Sequence, residues 1–381
     1  MTRFHSFAHA RRKSRRRLPR GIFEYIDRGI GEEASLRDLY ARLDAITITP
    51  KVLGTKPARS TETELFGRTA GAPVAIAPTA MAGLVHPDGE VVLTRAATRH
   101  RLPVCLSTQS ITSIERLRRM VPDAELWMQL YLWQDRDLSV GLLERAAGAG
   151  VEILVMTVDT RYRARKEWNE YNGFGMPFTL SPRNVADLCR HPGWIARVVL
   201  PNLLRDGLPA FGNYPEGMRP GLLGPAGDPR VELRHELTWE DVAWVRDRWR
   251  GKLVLKGILA PEDAEKARTC GADGIVVSSH GARNFDASPA PCDVLPQILP
   301  VSGGMTVMAD SGIRRGLDVL RYRLLGAAAV MTGRLPLWAL ASGGEDGVDA
   351  AFEVLRQEYV EALDSAGIDE IEPGSLGIGG A

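Results

Sequence analysis

The chain has 381 residues, of which 44% are hydrophobic and 25% charged, and its 48 Lys and Arg residues nearly balance its 47 Asp and Glu residues. This is the composition of a soluble globular protein with one large or two ordinary domains, and a net charge of +1 gives no overall field that would attract nucleic acid. The four cysteines are widely scattered, which argues against a disulfide framework or a zinc site, predicts no metal, and favours a cytoplasmic location.

A strongly basic run, RRKSRRRLPR, occupies residues 11–20. An export signal would continue with an apolar core, but the residues that follow, GIFEYIDRGIGEEASL, carry charges. We therefore interpret the run as the solvated face of a first helix, within an N-terminal helical cap over residues 1–60. This interpretation leaves open a peripheral contact with anionic lipid or with a partner protein. No apolar run reaches the ~18 residues that indicate a transmembrane helix.

Eight short apolar or β-branched runs recur along the rest of the chain, and a helix-like stretch follows each of them. They lie at 73–78, 103–108, 125–131, 152–159, 252–257, 274–280, 306–310 and 328–334. Strict alternation of strand and helix predicts an α/β fold with a parallel sheet, and eight units favour a closed (β/α)8 or TIM barrel over residues 61–381. The alternative is a Rossmann-like open sheet, but no GxGxxG joins the first strand to its helix.

One connection is much longer than the others. The chain between Asp159 and Lys252, which follows the fourth strand, exceeds what a single helix needs and is rich in Gly and Pro. Long loops in compact domains are commonly lids over active sites. We therefore predict that residues 173–237 form an inserted loop over the active site.

Polar residues cluster at the C-terminal ends of the predicted strands, where barrels of this type carry their chemistry. Contact with water explains some Ser and Thr at strand ends, but not a Lys, a His, two Asp, a Gln and an Arg at one rim. We therefore predict one functional site there. Its candidate residues are Thr79, Ala80, Ser107, Gln129, Tyr131, Thr157, Asp159, Lys256, Ser278, His280, Asp310, Gly312, Gly333 and Arg334.

The segments after the last two strands predict a phosphate site. They read DSGIRRG (310–316) and TGR (332–334), and their glycines open backbone N–H groups to an anion. Arg314 and Arg334 add guanidinium groups, which bind phosphate oxygens in a bidentate manner. Phosphate sites of barrels are often built from these two loops.

His280 ends a buried strand, and the residues GAR that follow bring Arg283 toward the same cavity. A guanidinium that holds a carboxylate beside a histidine that takes a proton suits proton abstraction from an anionic substrate. Asp159 ends a strand of the same barrel and would orient the imidazole and stabilise its charged form. These three residues predict an acid–base site.

Five ordered motifs resemble the FMN-dependent 2-hydroxy acid oxidase and dehydrogenase family, which includes glycolate oxidase, lactate oxidase, flavocytochrome b2 and (S)-mandelate dehydrogenase. They are WMQLY (127–131), LVMTVD (154–159), LVLKGI (253–258), SSHGARNFD (278–286) and MADSGIRRG (308–316). The resemblance runs from about Leu18 to Gly367. The segments IFEYIDRG (22–29) and RHPGWIARVVLPNLLRDGLP (190–209) are most similar to the mandelate and lactate dehydrogenase branch.

The resemblance implies FMN as cofactor, His280 as the base, Asp159 as its partner and Arg283 as the anchor of the substrate carboxylate. Lys256 would stabilise the negative charge of reduced flavin. The substrate would also contact Tyr25 and Tyr131. The cofactor would contact, besides Lys256, residues Thr79, Ala80, Ser107, Gln129, Thr157, Ser278, Asp310, Gly312, Arg314, Gly333 and Arg334. The family likeness further suggests a homotetramer.

Four residues depart from the family pattern. Ser279, Ala282 and Asn284 replace members of the histidine motif, and Lys166 stands where members usually place a second carboxylate-binding arginine. Lysine keeps the charge but lacks the bidentate fork. Either Lys166 or its neighbour Arg165 fills the role, or the acid group is held differently, or the substrate is not a simple hydroxy acid.

We predict oxidation of an (S)-2-hydroxy acid of the mandelate or lactate type to the 2-oxo acid. The alternative keeps FMN but oxidises a larger amino-acid- or peptide-derived substrate in a biosynthetic pathway. A non-catalytic flavin- or phosphate-binding barrel would have lost His280 or Arg283, and both are present. The electron acceptor (oxygen, a quinone or a redox protein) and the choice between hydride transfer and a carbanion stay open.

Overall fold

Eight parallel strands form a closed barrel in the order β10-β3-β4-β5-β6-β7-β8-β9, which confirms the predicted fold. The computed structural model describes residues 4–53, 60–175, 177–221, 227–369 and 371, and the predicted cap, barrel and inserted loop each include some residues outside these ranges. The strands are β1 Thr63–Leu65, β2 Arg68–Ala70, β3 Val74–Ile76, β4 Val104–Leu106, β5 Leu126–Leu130, β6 Ile153–Thr157, β7 Lys252–Ile258, β8 Gly274–Val277, β9 Thr306–Asp310 and β10 Ala329–Thr332.

The barrel strands are nearly continuous apolar runs because a parallel sheet covered by helices is buried on both faces. Every residue of β5 (LWMQL) and of β6 (ILVMT) is buried. Trp127 belongs to an apolar cluster separate from the main core, and the antiparallel hairpin β1–β2 packs Phe66 edge-on against it, with ring centroids 5.6 Å apart. The hairpin is thus joined to the cluster that fills the barrel.

Fifteen helices are present among the described residues. They are α1 Phe7–Arg17, α2 Arg20–Asp27, α3 Ala34–Ala45, α4 Gly89–Arg99, α5 Ile114–Met120, α6 Arg136–Gly148, α7 Glu167–Asn172, α8 Pro182–Cys189, α9 Pro192–Trp194, α10 Leu200–Asp206, α11 Trp239–Arg248, α12 Pro261–Thr269, α13 Pro291–Ile298, α14 Gly316–Leu324 and α15 Arg334–Ala366. Helix α11 begins with a capping box in which Thr238 and Asp241 exchange backbone and side-chain hydrogen bonds.

Residues 11–17 of the basic run are helical and lie in α1. One face of α1 packs on α15: the buried Ser14 donates its hydroxyl to the carbonyl of Trp338 at 2.9 Å. The other face exposes Arg12, Arg15 and Arg16. The charged side chains therefore stay in water while the small residues of α1 allow close packing.

The segment 173–237 contains α8, α9, a π turn at Ile195–Val199 and α10, where a loop was predicted. A capping box marks the start of α8: the side chains of Ser181 and Asn184 each accept the backbone N–H of the other residue. The segment packs on the loops after β3 and β4: Trp194 donates its ring N–H to the carbonyl of Leu84 at 2.8 Å, and Asn213 donates to that of Ser107 at 3.0 Å. It therefore lies on the C-terminal side of these strands.

Candidate active site

A cavity of about 170 Å³ lies at the C-terminal end of the barrel. Residues at or just after the ends of all eight barrel strands line it, together with Tyr25 of α2 and Lys166 just before α7. The structure thus brings most of the predicted site residues to one place. The predicted residues that line the cavity are Tyr25, Thr79, Ala80, Ser107, Tyr131, Thr157, Lys166, Lys256, His280, Arg283, Asp310, Gly312, Gly333 and Arg334.

His280 and Asp159 form a hydrogen-bonded pair at this cavity. The distance from His280 Nδ1 to Asp159 Oδ1 is 2.9 Å, and the distance from His280 Nε2 to Tyr131 Oη is 3.5 Å. Burial by itself would raise the pKa of Asp159, but the charge and hydrogen bond of His280 outweigh it and lower that pKa. An ionised Asp159 accepts the Nδ1 proton, so the lone pair of a neutral imidazole lies on Nε2.

The backbone around His280 adopts an unusual conformation. The φ angles of His280, Gly281 and Ala282 are +55°, +64° and +58°. Left-handed φ at a non-glycine residue costs about 1–3 kcal/mol and occurs preferentially at functional sites. Side-chain acceptors hold the turn, because Ser278 Oγ accepts the N–H of His280 and Ser311 Oγ accepts that of Gly281, each at 3.0 Å. This turn directs the imidazole into the cavity.

Lys256 is a buried cation on the cavity wall. Its Nζ lies 2.7 Å from Asp310 Oδ2 and 2.9 Å from Ser278 Oγ. Burial by itself would lower the pKa of Lys256, but the carboxylates of Asp310 and Asp159 outweigh it and raise that pKa. The lysine therefore stays charged at neutral pH. Ser278, which does not line the cavity itself, positions this charge.

Two arginines join α2 to the barrel. Arg283 Nη1 donates to the carbonyls of Tyr25 at 2.5 Å and Arg28 at 3.2 Å, and Arg334 Nη2 donates to those of Arg28 at 3.1 Å and Gly281 at 2.9 Å. Carbonyls at a helix C-terminus lack partners within the helix and carry partial negative charge, so they attract guanidinium groups. These contacts hold the Tyr25 side chain at the cavity.

Three buried polar atoms at the site have no hydrogen-bond partner among the described residues, namely Thr332 Oγ1, Trp338 Nε1 and Gln129 Nε2. Thr332 lines the cavity, and Gln129 Oε1 lies 3.2 Å from the Oγ of the cavity residue Ser107. Buried polar groups are almost always satisfied, so these atoms indicate a ligand with polar ring edges. A flavin ring, which carries both donors and acceptors, fits them. The sequence places Thr332 in the TGR segment but assigns its hydroxyl no role, because it ends an otherwise apolar strand.

Arg165 and Arg314 do not lie at the cavity, contrary to expectation. The Arg165 side chain is 72% exposed and pairs with Glu170 at 2.8 Å. Arg314 Nη2 lies 2.6 Å from Asp44, and its guanidinium stacks on Tyr40, 4.6 Å from the ring centroid. Arg314 lines a neighbouring cavity of about 1210 Å³ instead. Each arginine instead pairs with a carboxylate of a neighbouring helix, Arg165 with Glu170 of α7 and Arg314 with Asp44 of α3.

The model of the FMN-dependent dehydrogenase family matches residues 14–375 of the chain. The chain belongs to this family. The predicted resemblance and the FMN cofactor are thereby confirmed, and the protein is an FMN-dependent 2-hydroxy acid oxidoreductase.

Similar proteins of known name support this membership in the FMN-dependent dehydrogenase family. An L-lactate dehydrogenase of Pseudomonas aeruginosa is 39% identical over 374 residues, which cover 96% of each chain. Among solved structures, the "monotopic membrane protein (S)-mandelate dehydrogenase" superposes with a TM-score of 0.89 at 32% identity, covering 98% of this chain and 97% of that one. A mandelate oxidase with (S)-4-hydroxymandelic acid has a TM-score of 0.81 at 36% identity, with 96% and 95% coverage.

Proposed function

We propose that the protein oxidises an (S)-2-hydroxy acid of the mandelate or lactate type to the 2-oxo acid. The observation that carries this proposal is the hydrogen-bonded pair of His280 and Asp159. The Nε2 atom of His280 faces a cavity that Arg283 and Lys166 also line. FMN, when bound, supplies the acceptor of two electrons. The L-lactate and (S)-mandelate names of similar proteins support this choice of substrate class.

Each side chain of the site has a distinct role in this proposed reaction. Arg283 and Lys166 hold the substrate carboxylate, and His280 Nε2 takes one proton from the substrate. Burial raises the pKa of Tyr25 and of Tyr131, so both phenols stay protonated and donate hydrogen bonds to the substrate. The charge of Asp159 stabilises the imidazolium that forms.

A panel of acids tests the substrate class. We expect (S)-mandelate or L-lactate to bleach the flavin absorption of the holoenzyme under anaerobic conditions, with the opposite enantiomers as matched controls. The reason is that Arg283 would hold the carboxylate while His280 takes a proton, so the site would position only one hand for oxidation. Bleaching only by larger peptide-derived hydroxy acids would instead support the alternative substrate.

We also propose that the protein binds peripherally to a membrane. The segment α8–α10 exposes Ile195, Leu200, Leu203 and Leu204, the last of them by 77%. The basic run ends at this segment, because the backbone N–H of Arg20, the first residue of α2, donates to Asp187 of α8 at 2.7 Å. Exposed apolar side chains beside cations suit an anionic lipid surface. Among the described residues, no helix combines the length and hydropathy needed to cross a bilayer.

Sedimentation with lipid vesicles tests this surface. We expect the protein to pellet with vesicles of phosphatidylglycerol and phosphatidylcholine, and Leu204→Glu and Arg15→Glu to weaken pelleting, because each removes one attraction to the lipid. Met120→Glu, at an exposed apolar position of α5, is the matched control and should pellet like the parent. Equal pelleting of Leu204→Glu and the parent would contradict the proposal.

Three further properties stay predictions. They are a cytoplasmic location, a homotetramer, and an electron acceptor that is oxygen, a quinone or a redox protein. The proposed contact with lipid would place the protein on the membrane surface without a spanning helix.

A further inference from the structure

A serine in the left-handed conformation follows strand β9. Ser311 has a φ of +74°, is 8% exposed and lines the active-site cavity. Its backbone carbonyl accepts the hydroxyl of Tyr322 at 3.0 Å, and Tyr322 is fully buried. A buried phenol therefore fixes the backbone of Ser311. A non-glycine residue held at positive φ occurs preferentially at functional sites.

The Ser311 hydroxyl uses all of its hydrogen-bonding capacity within the protein. It donates to Asp310 Oδ1 at 2.7 Å. It accepts the Ser279 hydroxyl at 3.2 Å and the Gly281 N–H at 3.0 Å. Because a hydroxyl has one proton to donate and two lone pairs, these three bonds leave it none for a substrate or cofactor. This side chain therefore acts on the reaction only through its neighbours.

These bonds belong to a closed ring of hydrogen bonds at the ends of strands β7, β8 and β9. The ring runs through Lys256, Asp310, Ser311, Gly281, His280 and Ser278, and returns to Lys256. Ser278 closes it, because its Oγ accepts hydrogen bonds from both the Lys256 ammonium group at 2.9 Å and the N–H of His280 at 3.0 Å. Breaking one of these bonds leaves a buried polar group unpaired, which is costly at low dielectric. The ring therefore holds the turn that carries His280 at a fixed place relative to the buried ion pair of Lys256.

We propose that Ser311 is a positioning residue for the oxidation, because it ties the turn that carries the base His280 to the buried ion pair of Lys256. This role rests on the proposed function, in which His280 Nε2 takes a proton from the substrate. Three consecutive residues of the turn have positive φ, a conformation that the backbone alone does not favour. Without the Ser311 hydroxyl, the Gly281 N–H loses its acceptor and the imidazole loses its fixed direction into the cavity.

Ser311→Gly tests this role without straining the backbone, because glycine adopts a φ of +74° freely. We expect flavin reduction by the best 2-hydroxy acid to slow by about tenfold, the effect that corresponds to one hydrogen bond. FMN content should stay at the parental level, since the Ser311 hydroxyl has no hydrogen bond left for the cofactor. Ser302→Gly is the matched control. It removes a buried hydroxyl that donates to the carbonyl of Leu299 at 2.7 Å, before the start of β9, and should reduce flavin normally.

Removal of the base separates a positioning role from a general structural effect. If Ser311 acts through His280, its loss has nothing to act on once the imidazole is absent. The single variant His280→Ala and the double variant His280→Ala/Ser311→Gly should therefore reduce flavin at equal rates. A loss of the same size in both backgrounds would overturn the inference, and so would parental rates in Ser311→Gly.

Hydrogen–deuterium exchange of the holoenzyme supplies a readout that needs no substrate. The peptide that contains Gly281 should exchange about tenfold faster in Ser311→Gly, at the amide that loses its acceptor, and at the parental rate in Ser302→Gly. Unchanged exchange of this peptide in Ser311→Gly would overturn the inference whether or not any acid reduces the flavin. The proposed function fails in a different way, through a parent flavin that no 2-hydroxy acid reduces.

Discussion

Replacement of His280 by alanine is expected to lower the rate of flavin reduction by ~10²–10⁴-fold, the usual contribution of a general base. The imidazole is the group placed to take the substrate proton, since Asp159 accepts from Nδ1 and Nε2 faces the cavity. FMN binding should survive, because the predicted phosphate contacts come from other strands. Rapid-mixing absorbance under anaerobic conditions measures the rate, and released FMN measures cofactor content.

Two control variants accompany His280→Ala. His280→Asn keeps a residue that tolerates the left-handed φ of +55°, so it separates loss of the base from relaxation of the turn. His235→Ala removes a histidine that bonds the carbonyl of Thr160 at 2.8 Å but does not line the cavity, and it should reduce flavin normally. A His280→Ala protein that reduces its flavin at near-parental rate would place the base elsewhere.

Lys256→Met is expected to destabilise the protein by about 3–5 kcal/mol, the typical result of removing one partner of a buried ion pair. The Asp310 side chain is only 8% exposed, and the substitution removes the Lys256 ammonium group that lies 2.7 Å from its carboxylate. Flavin reduction should fall more than FMN binding, because a fixed cation matters most once the ring gains negative charge. Urea unfolding measures the first effect and rapid mixing the second.

The double variant Lys256→Met/Asp310→Asn separates these two effects. It removes both charges of the pair, so we expect much of the lost stability to return while reduction stays slow. A single variant as stable as the parent would show that the pair does not matter for stability. Parental reduction rates in the double variant would show that Lys256 has no electrostatic role toward the flavin.

The sequence predicted the barrel because its signals are local. Each of the eight apolar runs coincides with one barrel strand, with β7 reaching one residue beyond its run, and parallel strands place their C-terminal ends at one rim. His280 and Lys256 follow from this rule alone, since each ends or lies near the end of a strand. The start of α11 is likewise a local signal, because Thr238 and Asp241, which form its capping box, are three residues apart.

Features that exist only in the folded structure were not predictable in this way. Arg314 turns toward Asp44 of α3, a pairing between residues far apart in the sequence. Arg165 pairs with Glu170 only because α7 forms beside it. The left-handed turn at His280 includes Ala282, a residue type that gives no sign of positive φ. Thr332 shows its importance only through an unpaired hydroxyl in the folded barrel.

Anaerobic titration of the purified holoenzyme with (S)-mandelate and L-lactate, followed by flavin absorbance, tests the central claim most directly. One equivalent of the better acid should remove the oxidised flavin band and yield one equivalent of the 2-oxo acid, because each flavin accepts two electrons. A purified protein that holds no FMN and cannot be reconstituted with it, or a flavin band that no 2-hydroxy acid changes, would contradict the account.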